Sequence, residues 1–459
     1  MNHDSLLTGR HEIDGNSTVS SELLPWSNFQ RISFRFLCIF VLLSVGETYD
    51  PWIVIPAIGG PLSSWLDRPL TRVAAWMATH LFHVSGIAAT AHPTDSRDTA
   101  LGWIIMLLVS FISVLGALVW GLVDRRRQNY TQAAVWMRYL LRLAIVFIML
   151  RYGIFKIFPL QMSRPSLAVL NEPLGQTSPM TLLWTLIGMN PSYEIISGLL
   201  EAGCAALLLF RRTALIGSLF GIVVMTNVTL LNLCFDVPVK LGAMLILFAF
   251  IVLAWPDLRT LYNFFWKHVP SRLESAWHPI WATRKARWSA LVVEFTYLIL
   301  SLYFLVPPTY RQAMKESANR RAPSPLSGEW RLDSAKMSVN GQMVDAPVLT
   351  AEGVPMTALY LEPDGRAMAR STDGRLWRAG VTINAAQRTL YLYSGYFNGT
   401  RFNAEYSYRQ SDTNHLELNP AGDDKSTAST LLFTRVPMPA TYPLLQTHFK
   451  WIQKWALER

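Results

Sequence analysis

The sequence predicts a polytopic α-helical membrane bundle of about seven spans, followed by a small antiparallel β barrel or sandwich. Three observations carry this. Nearly all long apolar runs lie in residues 1–306, whereas 307–459 has the mixed composition of a water-soluble domain. After residue 326 the apolar period changes from helical to alternating, and turn dipeptides recur. The basic residues between apolar runs fall mostly in alternate loops, as they do when they set membrane orientation. The averages agree. The 459 residues are 51% hydrophobic and 16% charged, with mean hydropathy +0.23, against roughly 25% charged in an ordinary soluble domain.

Residues 1–30 form a polar tail with no short apolar core before a cleavage site, so no removable signal peptide is expected and the first span serves as its own targeting signal. That span starts after Arg31 and Arg35 and runs to about Val45. Pro51, Pro56 and Gly59-Gly60-Pro61 are expected to break the helix. Residues 69–87 read as an amphipathic helix along the interface, with Val73, Trp76, Met77, His80, Leu81 and Val84 at helical spacing and Arg72 and Thr79 interrupting. The second span covers 101–123 and stops at Asp124-Arg125-Arg126-Arg127. Four further spans follow near 138–158, 192–210, 213–234 and 238–255. The seventh runs from about 289 to 306, where Pro307-Pro308 should end it. Each is close to the ~20 residues that cross a bilayer.

A cytoplasmic N-terminus puts Arg125, Arg126, Arg127, Arg211, Arg212, Arg259, Lys267, Arg272, Arg284, Lys285 and Arg287 in cytoplasmic loops. The opposite loops after the third and fifth spans hold little beyond Arg164 and Lys240, although the first external loop carries Arg68, Arg72 and Arg97. Seven spans then place the C-terminal domain outside.

Residues 307–326 read as a linker and 327–437 as the β domain. Strands are expected at 328–333, 357–362, 375–383, 389–394, 400–408, 414–418 and 427–435. Turns are expected at Asn340-Gly341, Pro363-Asp364-Gly365, Asp373-Gly374 and Asn398-Gly399. About eight short strands suggest a lipocalin-like barrel, which has room for one apolar ligand. Residues 438–459 close the chain with an amphipathic helix.

The +10 net charge sits largely in inter-span loops, and no basic patch with interleaved aromatics marks a nucleic-acid partner. Cys38, Cys204 and Cys234 lie in or beside spans, which argues against a disulfide framework or zinc site. The histidines His80, His83 and His92 form an HxxH with a third nearby, a weak metal pattern without an acid at ligand spacing.

The polar residues inside the spans are more informative, because a charge in lipid costs ~3 kcal/mol or more unless it meets a partner, water or a ligand. At 1.5 Å per residue, Arg151 and Glu201 lie at similar depth and are expected to pair, with Lys156 nearer the outer face. Glu194 and Glu201 are seven residues apart and share a helix face. Asn227, Asn232, Asp236 and Lys240 cluster around the turn Phe235–Lys240. Together with Gln161 these residues suggest a buried polar pocket for a headgroup, a quinone ring or a proton. The alternative is that they only fix helix register, as intramembrane polar contacts often do, and that Asp236 and Lys240 cap two helices at the interface. No catalytic residue stands out, and the β domain has no Ser-His-Asp, P-loop or paired-glycine motif.

The core from 135 to 256 resembles the DoxX-like membrane family. The likeness rests on Arg142, the Tyr152-Gly153-x-x-Lys156 segment, Pro159, Gln161 and Ser178-Pro179-Met180. It continues with Glu201 ahead of Phe210-Arg211-Arg212-Thr213, and Asn227 to Lys240 ending in Asp-Val-Pro-Val-Lys-Leu. The whole layout is similar to larger bacterial members of that family. A more distant likeness is to the membrane domain of the vitamin-K-dependent carboxylase, with Lys156 the candidate lysine. The resemblance implies a bacterial inner-membrane component linked to quinone or redox chemistry, with a quinone as cofactor, a periplasmic β domain and a membrane-protein partner. Two other functions fit the same residues: binding or transport of a lipid-like ligand, and a structural or assembly role without catalysis.

Overall fold

The computed structural model describes residues 25–49, 59–84, 98–162, 164–270, 283–339, 342–346, 348, 354–393, 403–421, 429–439 and 441–446. Seven of its helices are long and apolar enough to cross a membrane. They are α1 (Asn28–Tyr49), α3 (Ala100–Val123), α4 (Thr131–Ile157), α7 (Pro191–Leu209), α8 (Ala214–Cys234), α9 (Lys240–Phe265) and α10 (Arg284–Arg321). Between them lie α2 (Gly59–His80), the single-turn α5 (Leu167–Leu170) and the short apolar α6 (Pro179–Gly188). The chain is a multi-pass membrane protein.

Helices α4, α7, α8 and α9 form the centre. Ile145, Phe147, Ile148, Cys204, Ala205, Leu208, Phe250 and Leu253 fill their shared core. Small residues let the backbones close: a Cβ on Gly221 would meet the Phe250 ring at 2.1 Å. Helix α2 starts at Gly59 and ends at His80, rather than spanning 69–87. It packs Leu70, Ala74 and Ala78, four residues apart on one face, against Leu101, Ile105 and Val109 of α3. Pro61 sits in its first turn, where a missing N–H costs nothing, so the Gly-Gly-Pro starts a helix instead of breaking one.

Helix α10 also departs from expectation. It continues through Pro307 and Pro308 to Arg321, so most of the expected linker is helical. Side chains bond carbonyls of this stretch: the Thr309 hydroxyl donates to the Leu305 carbonyl (2.6 Å), and Arg311 Nε to the Pro307 carbonyl (3.3 Å). The carbonyls that Pro307 and Pro308 leave without their usual N–H partner are those of Tyr303 and Phe304, one turn earlier. Most of the apolar surface of α10, including Val292, Val293 and Phe295, is exposed, as a helix facing lipid requires.

The C-terminal region is a closed antiparallel barrel. Its strands are β1 (Gly328–Val339), β3 (Met356–Leu361), β4 (Arg366–Ser371), β5 (Leu376–Asn384), β6 (Thr389–Tyr393), β7 (Asn403–Gln410), β8 (His415–Ala421) and β9 (Thr430–Arg435), with β2 (Gln342–Asp345) a hairpin extension of β1. Each strand pairs with the next, and β9 returns to β1 in the register Trp330↔Arg435 and Leu332↔Phe433. A bulge at Asp333 absorbs the closing twist. Gly365 (φ +88°) and Gly374 (φ +85°) make the tight β3–β4 and β4–β5 turns, a conformation that favours glycine. The interior is packed: Trp330, Leu359, Leu361, Leu390, Tyr406, Leu416, Leu418, Leu431 and Phe433 form one cluster. Trp330 is fully buried, donates Nε1–H to the Leu326 carbonyl (2.7 Å) and carries the Arg435 guanidinium over its ring.

The closing helix expected at 438–459 lies largely outside the described residues. Of it the structure describes a 3-10 turn at Pro443–Gln446. The turns at Asn340-Gly341 and Asn398-Gly399 also lie outside them.

Candidate functional site

Helices α4 and α7 touch at two glycines. A Cβ on Gly198 would lie 2.6 Å from the Gly153 carbonyl oxygen and 2.8 Å from the Ile157 nitrogen. That contact positions the polar residues around it. Lys156 follows Gly153 by three residues, and Glu194 and Glu201 flank Gly198 by four and three, so all three fall on the facing sides of the crossing. Lys156 Nζ is bonded to Glu201 Oε1, with the two residues only 4% and 2% exposed. The chain then leaves α4 and folds over the pocket, and the backbone N–H groups of Gln161 and Met162 donate to Glu194 Oε1, both at 2.9 Å. Trp184 of α6 donates Nε1–H to the Gln161 carbonyl (3.1 Å) and holds this roof down.

These groups enclose a cavity of about 90 Å³ between α4, α6, α7, α8 and α9. Lys156, Gln161, Glu194, Glu201, Asn227 and Asn232 all line it, beside apolar residues such as Leu183, Ile187, Met225 and Ile246. Tyr193 and Asn227 are the exposed members of the lining and mark its opening. Among the described residues of this wall Lys156 is the one cation, facing two carboxylates. Three buried acceptor atoms of the same wall, Glu194 Oε2, Glu201 Oε2 and Gln161 Oε1, have no hydrogen-bond partner among the described residues.

Three of the expected pocket residues lie elsewhere. Arg151 is exposed and does not pair with Glu201. It precedes Lys156 by five residues, which turns it about 140° around α4, so equal depth did not mean a shared face. Asp236, at φ +52°, is 80% exposed at its side chain and pairs with Lys240 at 2.5 Å. The first N–H groups of α9, from Lys240 and Leu241, are bonded by the Asp98 carboxylate. Asp236 and Lys240 thus pair with each other outside the pocket lining, and the cap on α9 comes from Asp98 rather than from this turn.

His80 ends α2 and donates Nδ1–H to the Trp76 carbonyl (3.0 Å), while His83 lies beyond the helix at φ +51°. The HxxH therefore does not share a helix face. His92 lies outside the described residues. Among the described residues no group of three or more His, Cys, Asp or Glu is placed to hold a metal.

Composition alone did not single out Tyr152, Trp184, Tyr193 and Ser197, which also line the cavity. Only the spacing Tyr193–Glu194–Ser197–Glu201, one face of α7, hinted at the last two. A second polar cluster lies nearer the opposite end of α4. Arg138, bonded to Asp257 and to the Leu253 carbonyl (3.0 Å), ties α4 to α9, and Arg142 meets Glu294 of α10 at 3.6 Å. These buried pairs hold helices together and lie away from the cavity lining.

The segment after the pocket roof also carries the barrel. The Glu362 carboxylate, at the end of β3, accepts from the N–H groups of Leu167 (2.8 Å) and Ala168 (3.3 Å) in α5. Ala168 packs on Ala358 and Tyr360. Asn171 donates to Glu329 (3.0 Å) and accepts from the Tyr442 hydroxyl (2.9 Å). Burial pushes the Glu362 carboxyl above its ordinary value, more than those two N–H bonds lower it.

No family model matches the chain, and no solved structure does. Among curated proteins it is similar to YwoB of Bacillus subtilis (strain 168), an uncharacterized protein, with 33% identity over 85 residues. The match covers 18% of this chain and 55% of YwoB, so the chain spans about half the length of that relative.

Proposed function

We propose that this membrane protein binds the polar end of a membrane-soluble small molecule in the Lys156–Glu194–Glu201 cavity. The observation that carries this reading is the cavity itself: a mostly apolar chamber into whose wall one lysine, two carboxylates and unpartnered buried acceptors are set, inside an apolar four-helix core. The size narrows the occupant. At about 90 Å³ the chamber admits a few water-sized groups. It is smaller than the ~150 Å³ cavity that holds benzene in an engineered protein. A small headgroup fits, and the ligand's apolar remainder would leave past Tyr193 and Asn227.

The quinone-linked role of a DoxX-like component in a bacterial inner membrane is the narrower form of this reading. It rests on the sequence resemblance, and it requires the chamber to widen for a ring. The positive-inside pattern supports a cytoplasmic N-terminus and a periplasmic barrel.

Native mass spectrometry of the full chain in mild detergent, with lipid extraction and an absorption spectrum, tests the proposal. A stoichiometric amphiphile lost in Glu194→Gln and Glu201→Gln is the expected result. A stoichiometric quinone would select the redox form. Protein that carries no ligand but co-purifies with another membrane protein would overturn the binding reading in favour of an assembly role.

A further inference from the structure

The chemistry of the cavity wall defines what kind of polar end it accepts; this step rests on the binding reading above. Its charged residues are Lys156, Glu194 and Glu201, so with both carboxylates ionised the wall carries one uncompensated negative charge. Glu194 and Glu201 are 1% and 2% exposed, so water outside the protein does little to stabilise that charge. The hydrogen-bond inventory is unbalanced in the same direction. The Lys156 ammonium is engaged by Glu201 Oε1, and Trp184 Nε1–H by the Gln161 carbonyl. Glu194 Oε1 is satisfied by two backbone N–H groups. Among the fully buried side-chain atoms of this wall, those left without a partner by the described residues are all acceptors: Glu194 Oε2, Glu201 Oε2 and Gln161 Oε1.

A carboxylate or phosphate occupant would add acceptors and negative charge to a wall already in surplus of both. A neutral carbonyl would bring no donor. A quaternary ammonium brings charge but no N–H. A primary ammonium brings one positive charge and three donors, which matches the surplus in sign and in number. We propose that the cavity binds a primary ammonium group, carried either by a phosphatidylethanolamine headgroup or by a long-chain amine.

The experiment leaves the protein unaltered and varies the ligand. Full-length protein in mild detergent is titrated with dioleoyl phosphatidylethanolamine, its N-methyl, N,N-dimethyl and trimethyl (choline) analogues, dioleoyl phosphatidylglycerol, and dodecylamine. Adducts are counted by native mass spectrometry. Each methyl removes one N–H while keeping the charge, so affinity should fall about tenfold for each donor that meets a carboxylate. Dodecylamine binding with phosphatidylethanolamine excluded assigns the free amine as the source; the reverse assigns the lipid. Glu194→Gln, nearly isosteric, should weaken the primary amine and flatten the methyl series, and its melting temperature reports whether it folds. Equal binding of the ethanolamine and choline lipids, preferred binding of phosphatidylglycerol, or stabilisation by sodium ion that no amine matches would overturn the ammonium assignment while leaving a binding cavity in place. No adduct with any probe or native lipid would overturn both.

Discussion

Lys156 and Arg151 sit five positions apart on one helix, and that interval decides which of them reaches the cavity. The rise of a helix makes depth readable from sequence, and by depth Arg151 matched Glu201. The face was set by the Gly153–Gly198 contact, a feature of packing that a single chain of letters does not display. The carboxylates fared better because their seven-residue spacing fixes a common face whatever the neighbour. A direct test separates pair from partner. Lys156→Met strands Glu201 in the core and should cost about 3 kcal/mol or more. The double variant Lys156→Met/Glu201→Leu should recover most of that loss, because replacing both members of a buried pair with apolar groups is often near neutral. Arg151→Gln, at an exposed position, should change stability little. Unfolding of the detergent-solubilised protein measures all three.

The seven spans were legible, because each is a long apolar run with no alternative way to satisfy its backbone in lipid, whereas the short α5 and α6 were not read. Helix ends were not legible. Pro307 and Pro308 looked like a stop, yet α10 carries on to Arg321. Strands β2 and β4 were missed for another reason: Gln342–Asp345 is only four residues, and Arg366–Ser371 (RAMARS) has little apolar alternation to read. Two predictions belong to these contacts between elements. Gly198→Ala forces a Cβ into the α4 backbone and should destabilise by about 1–3 kcal/mol, with looser hydrogen exchange protection at Gln161 and Met162. The contact of β3 with α5 should depend on pH. Because burial raises the Glu362 carboxyl, the folded state holds its proton more tightly than the unfolded chain does. Stability is then greatest below the ordinary carboxylate value, falls as pH rises through the raised folded value, and levels above it. Denaturation of the barrel from about pH 4 to pH 8 should show this slope in the native chain and lose it in Glu362→Gln.

The two-part architecture was readable from the change of period near residue 326, and the structure adds how the parts meet. Orientation is open to a simple check. In a cysteine-free background, Arg409→Cys on the exposed surface of β7 should react with a membrane-impermeant maleimide in intact cells, and Arg126→Cys should react only after lysis. Protection of Arg409→Cys would reverse the proposed topology. The stretch from Gln161 to Ala168 gives the arrangement its mechanical character. One carboxylate, Glu194, grips it by N–H groups at the pocket end, and another, Glu362, grips it by N–H groups at the barrel end, five residues further along. If an occupant binds differently with the Glu362 contact made and with it broken, then by reciprocity the occupant shifts that contact by the same free energy, so Glu362→Gln should change its affinity. The barrel is, in this sense, a handle on a chamber between the spanning helices.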